Sequence, residues 1–507
     1  MTTLRTRISR LLMALALPAL LAGCGGSGGG GSSVAPVITA QPTDQTLSAT
    51  GTTAFGVETQ DRNGTSYQWQ QSGDGASWTD ITTDGNGSSL QIPVGTAKGS
   101  GWNKFRCVLT NTAGRTVSDS ATLWLLIHVK SSPVPSPDGT SWAKAYTLLQ
   151  DALSSSMPFS EIWVAAGTYV PGNSSSASFA LREDVAVYGG FTGSETARGA
   201  RDTAVNLTTL SGQFSGGNCA HVVLGANRAV LDGFTVTAGN NPAPGDTSGG
   251  GGMYNYFCSP IVANCTFTAN VGSSGGGMLN SGASPVVRNC IFSGNSATYG
   301  GGLSNFNSHA SVSQCSFSGN FASWSGGGMS SWNSTVTVLG SVFNGNAADY
   351  GGAMYSGEST TTLANCVMAG NTARDGGGLY AVGNGTTAVN CTLVGNTASN
   401  LGGGIYAQAV QVTNGILWGN SAGSGSPQLY LFVGSPAPAY SCIQGGSTDN
   451  GNIASDPLLN GDHTLNTASP CIDKGNSSAV PADVTTDLAG QARIVGSCVD
   501  MGAYEYQ

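Results

Sequence analysis

Charged residues are scarce in this sequence. Only 9% of its 507 residues are Asp, Glu, Lys or Arg, and the formal net charge is −9. An acidic, arginine-poor chain offers no basic stripe for a phosphate backbone, which excludes nucleic acid as a partner. Solubility therefore rests on Ser, Thr, Asn and Gly. Long apolar runs are absent beyond the first 23 residues, so no later segment has transmembrane length. No Cys-x-x-Cys spacing occurs, which argues against zinc and iron–sulfur sites. No cofactor is expected. Calcium is the one ion left open, with no specific motif to hold it.

Acids are also few where catalysis would need them. Between residues 250 and 425 they are Asp349, Glu358 and Asp375; the bases are Arg288 and Arg374, with one histidine, His309. Glycoside hydrolysis calls for carboxylates held across a groove. Asp349 and Asp375 make the best acidic pair, one residue out of register on successive repeats. Their simplest role is a solvated turn in which Asp349 pairs weakly with Arg374. Asp232 and Asp246, in the less regular stretch before the repeats, complete the catalytic candidates.

What the sequence has is a repeat. The apolar residue after each glycine cluster falls at Met253, Met278, Leu303, Met329, Met354, Leu379 and Ile405, spaced by 25 or 26 residues. An asparagine recurs at Asn270, Asn295, Asn320, Asn346, Asn371, Asn396 and Asn420. Five slots before it stand Cys265, Cys290, Cys315, Ser341, Cys366, Cys391 and Gly415. Two places after that slot comes Phe267, Phe292, Phe317, Phe343, Met368, Leu393 or Leu417. A period of this size defines a solenoid. Apolar residues alternate, as in "SVSQCSF", and glycine and asparagine break them into short runs, which reads as strands and turns rather than helices. The fold class is all-β, a parallel β-helix of roughly 11 coils in which like residues stack about 4.8 Å apart. The cysteines then form a line of buried apolar groups, where volume matters more than sulfur chemistry.

The "GG-apolar" and "F-x-x-N" phrases resemble the repeats of polymorphic outer-membrane proteins and related bacterial adhesins. Residues 138–507 resemble a pectin-lyase-like right-handed β-helix. "DGTSWAKAYTLLQDAL" is similar to the opening of bacterial surface β-helices, and "SPCIDKGN" and "DLAGQARIVGSCVDMGAYEYQ" to a choice-of-anchor closing module. In the opening, Leu148, Leu149, Ala152 and Leu153 give a short helix an apolar face to cover the first coil. Cys471 and Cys498 flank the closing module and are the candidate disulfide pair.

The front of the chain sets a compartment. "MTTLRTRISRLLMALALPALLAGC" has Arg5, Arg7 and Arg10, then an apolar core, as secretory leaders do. Its Leu-Ala-Gly-Cys ending resembles the bacterial lipobox, which implies lipid on Cys24 and an outer-membrane or cell-surface location; plain secretion is the alternative. Trp69 followed by "FRCVLTNTAG" resembles an immunoglobulin-like β-sandwich, with Phe55 where the family places its first cysteine and Cys107 left as a free core thiol. The resulting organisation is a leader (1–23), a Gly/Ser tether (24–35), the immunoglobulin-like domain (36–129), a Pro/Ser linker (130–140), the β-helix with its cap (141–445) and the closing module (446–507).

Aromatic residues gather beside the glycine clusters. Tyr355, Tyr380 and Tyr406 each follow an inward apolar residue, so alternation points them outward as one strip, with Trp332 and Tyr350 beside it. Such a strip suits a polysaccharide or a surface protein. The expected function is that of a non-catalytic cell-surface protein, used for adhesion or for glycan or protein binding through the β-helix. The rivals are a polysaccharide lyase or glycoside hydrolase and a purely architectural envelope component.

Overall fold

The computed structural model describes residues 34–47, 52–60, 64–73, 75–93, 103–242, 249–383 and 385–507. The expected leader, Cys24, most of the tether and Asp246 lie outside them. Among the described residues no helix is long and apolar enough to cross a membrane.

The 25-residue period builds a parallel β-helix with three long faces. Each coil contributes a strand to a sheet that begins in the N-terminal unit, one to an 11-stranded sheet and one to a 10-stranded sheet. In the 11-stranded sheet Phe267, Phe292, Phe317, Phe343, Met368, Leu393 and Leu417 are successive register partners. All are buried, and the four phenylalanine rings stack at 5.0, 4.8 and 4.6 Å, nearly parallel. One apolar core runs from the first coil to the last.

Two polar columns and a run of glycine triplets hold the turns. Asn320 donates through Nδ2 to the Phe292 carbonyl and to Asn346 Oδ1, and its own Oδ1 accepts from the backbone N–H and the side chain of Asn295. The pattern repeats from Asn270 to Asn420, so each buried amide is satisfied by its neighbours. In the cysteine column the thiols are free and buried. Cys290 Sγ donates to the Arg288 carbonyl at 3.2 Å, and Ser341 Oγ makes the same bond to Leu339 at 3.0 Å. A small hydrogen-bond donor therefore fills six of the seven slots, Gly415 being the exception. The glycine triplets are a backbone requirement. Gly300 has φ +64°, and a Cβ on Gly302 would lie 2.6 Å from the Gly328 carbonyl oxygen of the next coil.

The helix Leu149–Ser155 covers the first coil, burying Leu149, Ala152 and Leu153 in the main core. Leu148, expected on that face, precedes the helix and is exposed.

The N-terminal unit is a small antiparallel assembly around Phe55, Trp69, Leu90, Phe105, Cys107 and Leu109. Trp69 is fully buried and donates to the Gly87 carbonyl, and Phe55 stacks on Phe105 at 4.8 Å. Its last strand, Ala121–Val129, serves two structures. Ala121 and Thr122 pair with Phe105 and Lys104, whereas Leu125 to Val129 pair in parallel with Ser160 to Val164 of the first coil. Beyond it, the Lys130 N–H bonds the Tyr146 carbonyl and the Asp138 N–H bonds that of Lys144, folding residues 130–140 back onto the cap.

The closing segment has almost no regular structure, yet it lies along the last coils. Asn365, Asn390 and Asn414, one per coil, donate to the carbonyls of Thr486, Asp500 and Asn476. Arg493 is buried at its centre beside Glu505. The expected Cys471–Cys498 disulfide is not formed, since both are free thiols. Cys471 instead joins Cys442, Ile416, Leu465 and Met501 in a small apolar cluster over the last coil. Cys498 is held elsewhere, its N–H bonded to Asp473 Oδ1 at 3.0 Å.

Candidate functional site

After each glycine turn the chain enters the 10-stranded sheet, and its residues alternate in, out, in, out. The first outward position gives one register column: Tyr254, Leu279, Ser304, Ser330, Tyr355, Tyr380, Tyr406 and Tyr430. Tyrosine occupies both ends, and three shorter side chains interrupt it.

A groove of about 540 Å³ lies over that interruption. Leu279, Ser304 and Ser330 form its floor, only 1–5% exposed. Tyr299 and Trp324 rise from the preceding turns as one wall. Phe306 and Trp332, at the second outward position, form the other, and Tyr355 stands at one end. These wall rings are 37–48% exposed. Of the ten exposed aromatic residues among the described residues, seven lie between Tyr256 and Trp332, so the exposure is concentrated rather than scattered. The polar lining is Ser273, Ser274, Thr298, Ser325 and Asn305 with the floor serines, and among the described residues no charged side chain lines the groove.

Trp324 owes its position to a bulge. Strand Ser296–Tyr299 pairs with Phe321–Ser325 through Ala297 with Ala322 and Tyr299 with Ser325, which leaves one residue extra on the second strand. A bulge re-aims a side chain. The sequence signal is the 26-residue step from Leu303 to Met329, which marks an inserted residue without saying where it projects.

The strip expected to bind behaves differently. Tyr355, Tyr380, Tyr406 and Tyr430 stack face to face at 5.4, 4.6 and 5.1 Å. All are half-buried. Each inner ring spends both faces on its neighbours, so the column presents edges and hydroxyls to solvent. Burial, then the neighbouring Tyr406, Tyr355 and Asp375, pushes the Tyr380 phenol up to about 12, which keeps it neutral. Tyr350 is also engaged. The Arg374 guanidinium lies 4.3 Å from its ring centre, and Trp324 and Tyr380 meet it edge-on at 5.2 and 5.1 Å. Of the five expected contact residues, Trp332 and Tyr355 line the groove and Tyr350, Tyr380 and Tyr406 do not. Tyr299, Phe306 and Trp324 were missing from that set.

Two of the candidate carboxylates, Asp375 and Asp232, are occupied by structural partners. Asp375 is buried and accepts from Arg374 Nε at 3.2 Å, from Asn400 Nδ2 at 2.7 Å and from the Leu401 N–H. The ion pair of this turn is therefore Arg374–Asp375 rather than Arg374–Asp349, because the adjacent Asp375 carboxylate meets the guanidinium. Asp349 stays half-exposed, with its backbone carbonyl accepting from the Arg374 and Asp375 N–H groups. Asp232 is buried and takes Arg201 Nη2 and Asn264 Nδ2, each at 2.8 Å. That bond pins the excursion near residue 201 onto the early coils. Arg198 does likewise through Glu161 at 2.7 Å, and both guanidiniums lie over the Tyr188 ring. Among the described residues no group of three or more His, Cys, Asp or Glu side chains is placed to hold a metal ion.

Three continuous parallel faces around one apolar core define a parallel β-helix. Residues 136–386 match the family model described as a protein of unknown function, DUF1565. Among solved structures, pectate lyase Pel9A is similar at 14% identity and a TM-score of 0.46, over 75% of this chain and 96% of that one. A rhamnogalacturonan lyase is similar at 10% identity and a TM-score of 0.30, over 72% and 99%. No residue role is carried over from either. A search of curated proteins finds no match.

Proposed function

We propose that this chain is a non-catalytic envelope protein that binds carbohydrate through the aromatic groove of its β-helix. One observation carries the reading: the exposed aromatic rings are gathered around a floor of serine hydroxyls. Sugars present C–H faces and hydroxyl edges together, and such a slot meets both. An apolar protein segment would call for an apolar floor instead. In this reading the immunoglobulin-like unit is a spacer, and lipid on Cys24 holds the chain to the envelope.

The lyase or hydrolase reading receives less support, because the Asp232 and Asp375 carboxylates are already spent on arginine and asparagine partners. A polysaccharide panel tests the choice, with binding and newly formed reducing or unsaturated ends scored together. Retention of a glycan without new ends, lost in Trp324→Ala, is the expected result. Turnover abolished by Asp349→Asn or Asp375→Asn would overturn it. Labelled fatty acid should enter the wild-type chain and not Cys24→Ser.

A further inference from the structure

We infer that the groove takes an uncharged, extended hexose chain lying parallel to the solenoid axis, with Tyr355 acting as the stop that limits how many units it holds. This rests on the carbohydrate-binding reading above and adds the ligand's charge, shape and direction.

The charge follows from what surrounds the site. Among the described residues no charged side chain lines the groove; Arg288 belongs to strand Val286–Arg288 on another face of the helix, and the Arg374 guanidinium lies over Tyr350, on the far side of that ring's contact with Trp324. A uronate pressed between Trp324 and Trp332 would surrender its water and find no free cation in the lining, since the Arg374 guanidinium behind Tyr350 is already paired with Asp375. A hexose with only hydroxyls loses nothing of that kind.

The direction follows from register. Leu279, Ser304 and Ser330 are consecutive partners, so the floor is a line along the axis with one residue every ~4.8 Å. Phe306 and Trp332 are also partners, so one wall repeats at the same interval. A polymer lying along this line must advance by a similar length per unit to meet equivalent groups at each coil. An extended hexopyranose chain does so, whereas a coiled one turns its faces away from one coil to the next. Lining residues from Leu279 to Tyr355 span three intercoil steps, or about 14 Å, room for roughly three units.

Tyr355 ends that line. It occupies the floor column itself, its ring stacked with Tyr380 on one side and facing Trp332 at 6.5 Å on the other. Behind it the ladder continues through Tyr406 to Tyr430, with no second gap. Serine at this position would extend the serine floor by one coil, as at Ser304 and Ser330.

The test is a length series measured by calorimetry on the full chain. The probes are neutral β-1,4-linked oligosaccharides of two to six hexoses, α-1,4-linked glucose oligosaccharides and oligogalacturonates. The expected wild-type affinity rises with β-1,4 chain length and levels at about three units. In Tyr355→Ser it should level one unit later, and in Trp324→Ala or Trp332→Ala it should fall tenfold or more at every length. A plateau unmoved by Tyr355→Ser, in a folded variant that still binds, overturns the axial placement. Tryptophan-dependent preference for oligogalacturonate or the α-linked series overturns the ligand assignment while leaving carbohydrate binding at the groove intact. Binding of no sugar in any series overturns both.

Discussion

Asn320→Ala should be among the most damaging single substitutions to a side chain that touches no ligand. Its amide is 1% exposed and takes part in four hydrogen bonds of 2.9 to 3.1 Å. Alanine removes all four: the Asn295 N–H is orphaned in a dry interior, the Phe292 carbonyl loses the Asn320 amide, the Asn295 amide keeps only its bond to the Phe267 carbonyl, and Asn346 Oδ1 keeps only the Asn320 backbone N–H. An orphaned buried polar group costs about 1–3 kcal/mol. With about 0.5–1.5 kcal/mol for each of the three other lost bonds, the expected loss is about 3–7 kcal/mol, a large share of the roughly 5–15 kcal/mol that holds a typical domain together. Asn320→Asp should be worse at neutral pH, because an anionic oxygen replaces the Nδ2 donor and faces two acceptors. That difference should shrink in acid as the carboxyl gains a proton. Asn333→Ala is the control: its side chain also donates to an asparagine one coil away, Asn307 at 2.7 Å, but in solvent. It should cost about 1–2 kcal/mol, most of it from placing alanine in the left-handed conformation that Asn333 holds at φ +46°. Guanidinium titrations, fitted with one common slope, measure the differences. An Asn320→Ala midpoint matching that of Asn333→Ala would refute the claim that the inner ladder carries stability.

Phe317→Ala should cost about 3–5 kcal/mol, since its neighbours at 4.8 and 4.6 Å cannot close the gap, and Phe317→Asp should prevent folding; soluble yield and melting curves separate the two. The pair Tyr380→Ser and Tyr406→Ser should lower stability by about 2 kcal/mol through lost stacking while leaving groove binding within twofold in calorimetry. Burial pushes the Glu505 carboxyl up to about 7, against the opposing pull of Arg493. A carboxyl raised on folding binds more protons in the folded chain. Its contribution to stability therefore falls as pH rises from about 4.5 to about 7. Buried His128, whose pKa is lowered, acts in the opposite sense, losing stability as pH falls below its ordinary 6.5. The difference between wild-type and Glu505→Gln melting temperatures across that window isolates the carboxyl, and a difference independent of pH would refute its role.

A β-helix writes three-dimensional contacts into the sequence at a fixed interval, so residues 25 apart touch. That is why the phenylalanine, asparagine and cysteine columns were legible before any coordinates. The same arithmetic placed Tyr355, Tyr380 and Tyr406 in consecutive coils. It did not reveal that their rings face one another, because alternation gives the side of the sheet and not the angle of the ring. Nor did it locate the groove. The groove is a gap in a column, visible only when Leu279, Ser304 and Ser330 are seen as an absence of tyrosine between walls from two other columns. Trp324 depends on a bulge, which periodicity records only as one extra residue. The contacts that do not repeat were the least legible. Cys471 meeting Cys442, and the strand Ala121–Val129 pairing with Ser160 to Val164, join distant segments once each, and no recurrence announces them.

That shared strand fixes a bearing as well as a bond. Five consecutive register pairs tie its second half to the first coil, and its first half is already committed to the N-terminal unit. There is no swivel between the two. From this strand to His309–Ser313, in the coil that carries Ser304, the sheet advances by six strands, about 29 Å. The aromatic slot therefore stands at a set height above the N-terminal unit and looks out along a set azimuth. The chain is a ruler as much as a grip, and inserting or deleting one 25-residue coil would change the standoff by about 4.8 Å while leaving the direction of view nearly unchanged.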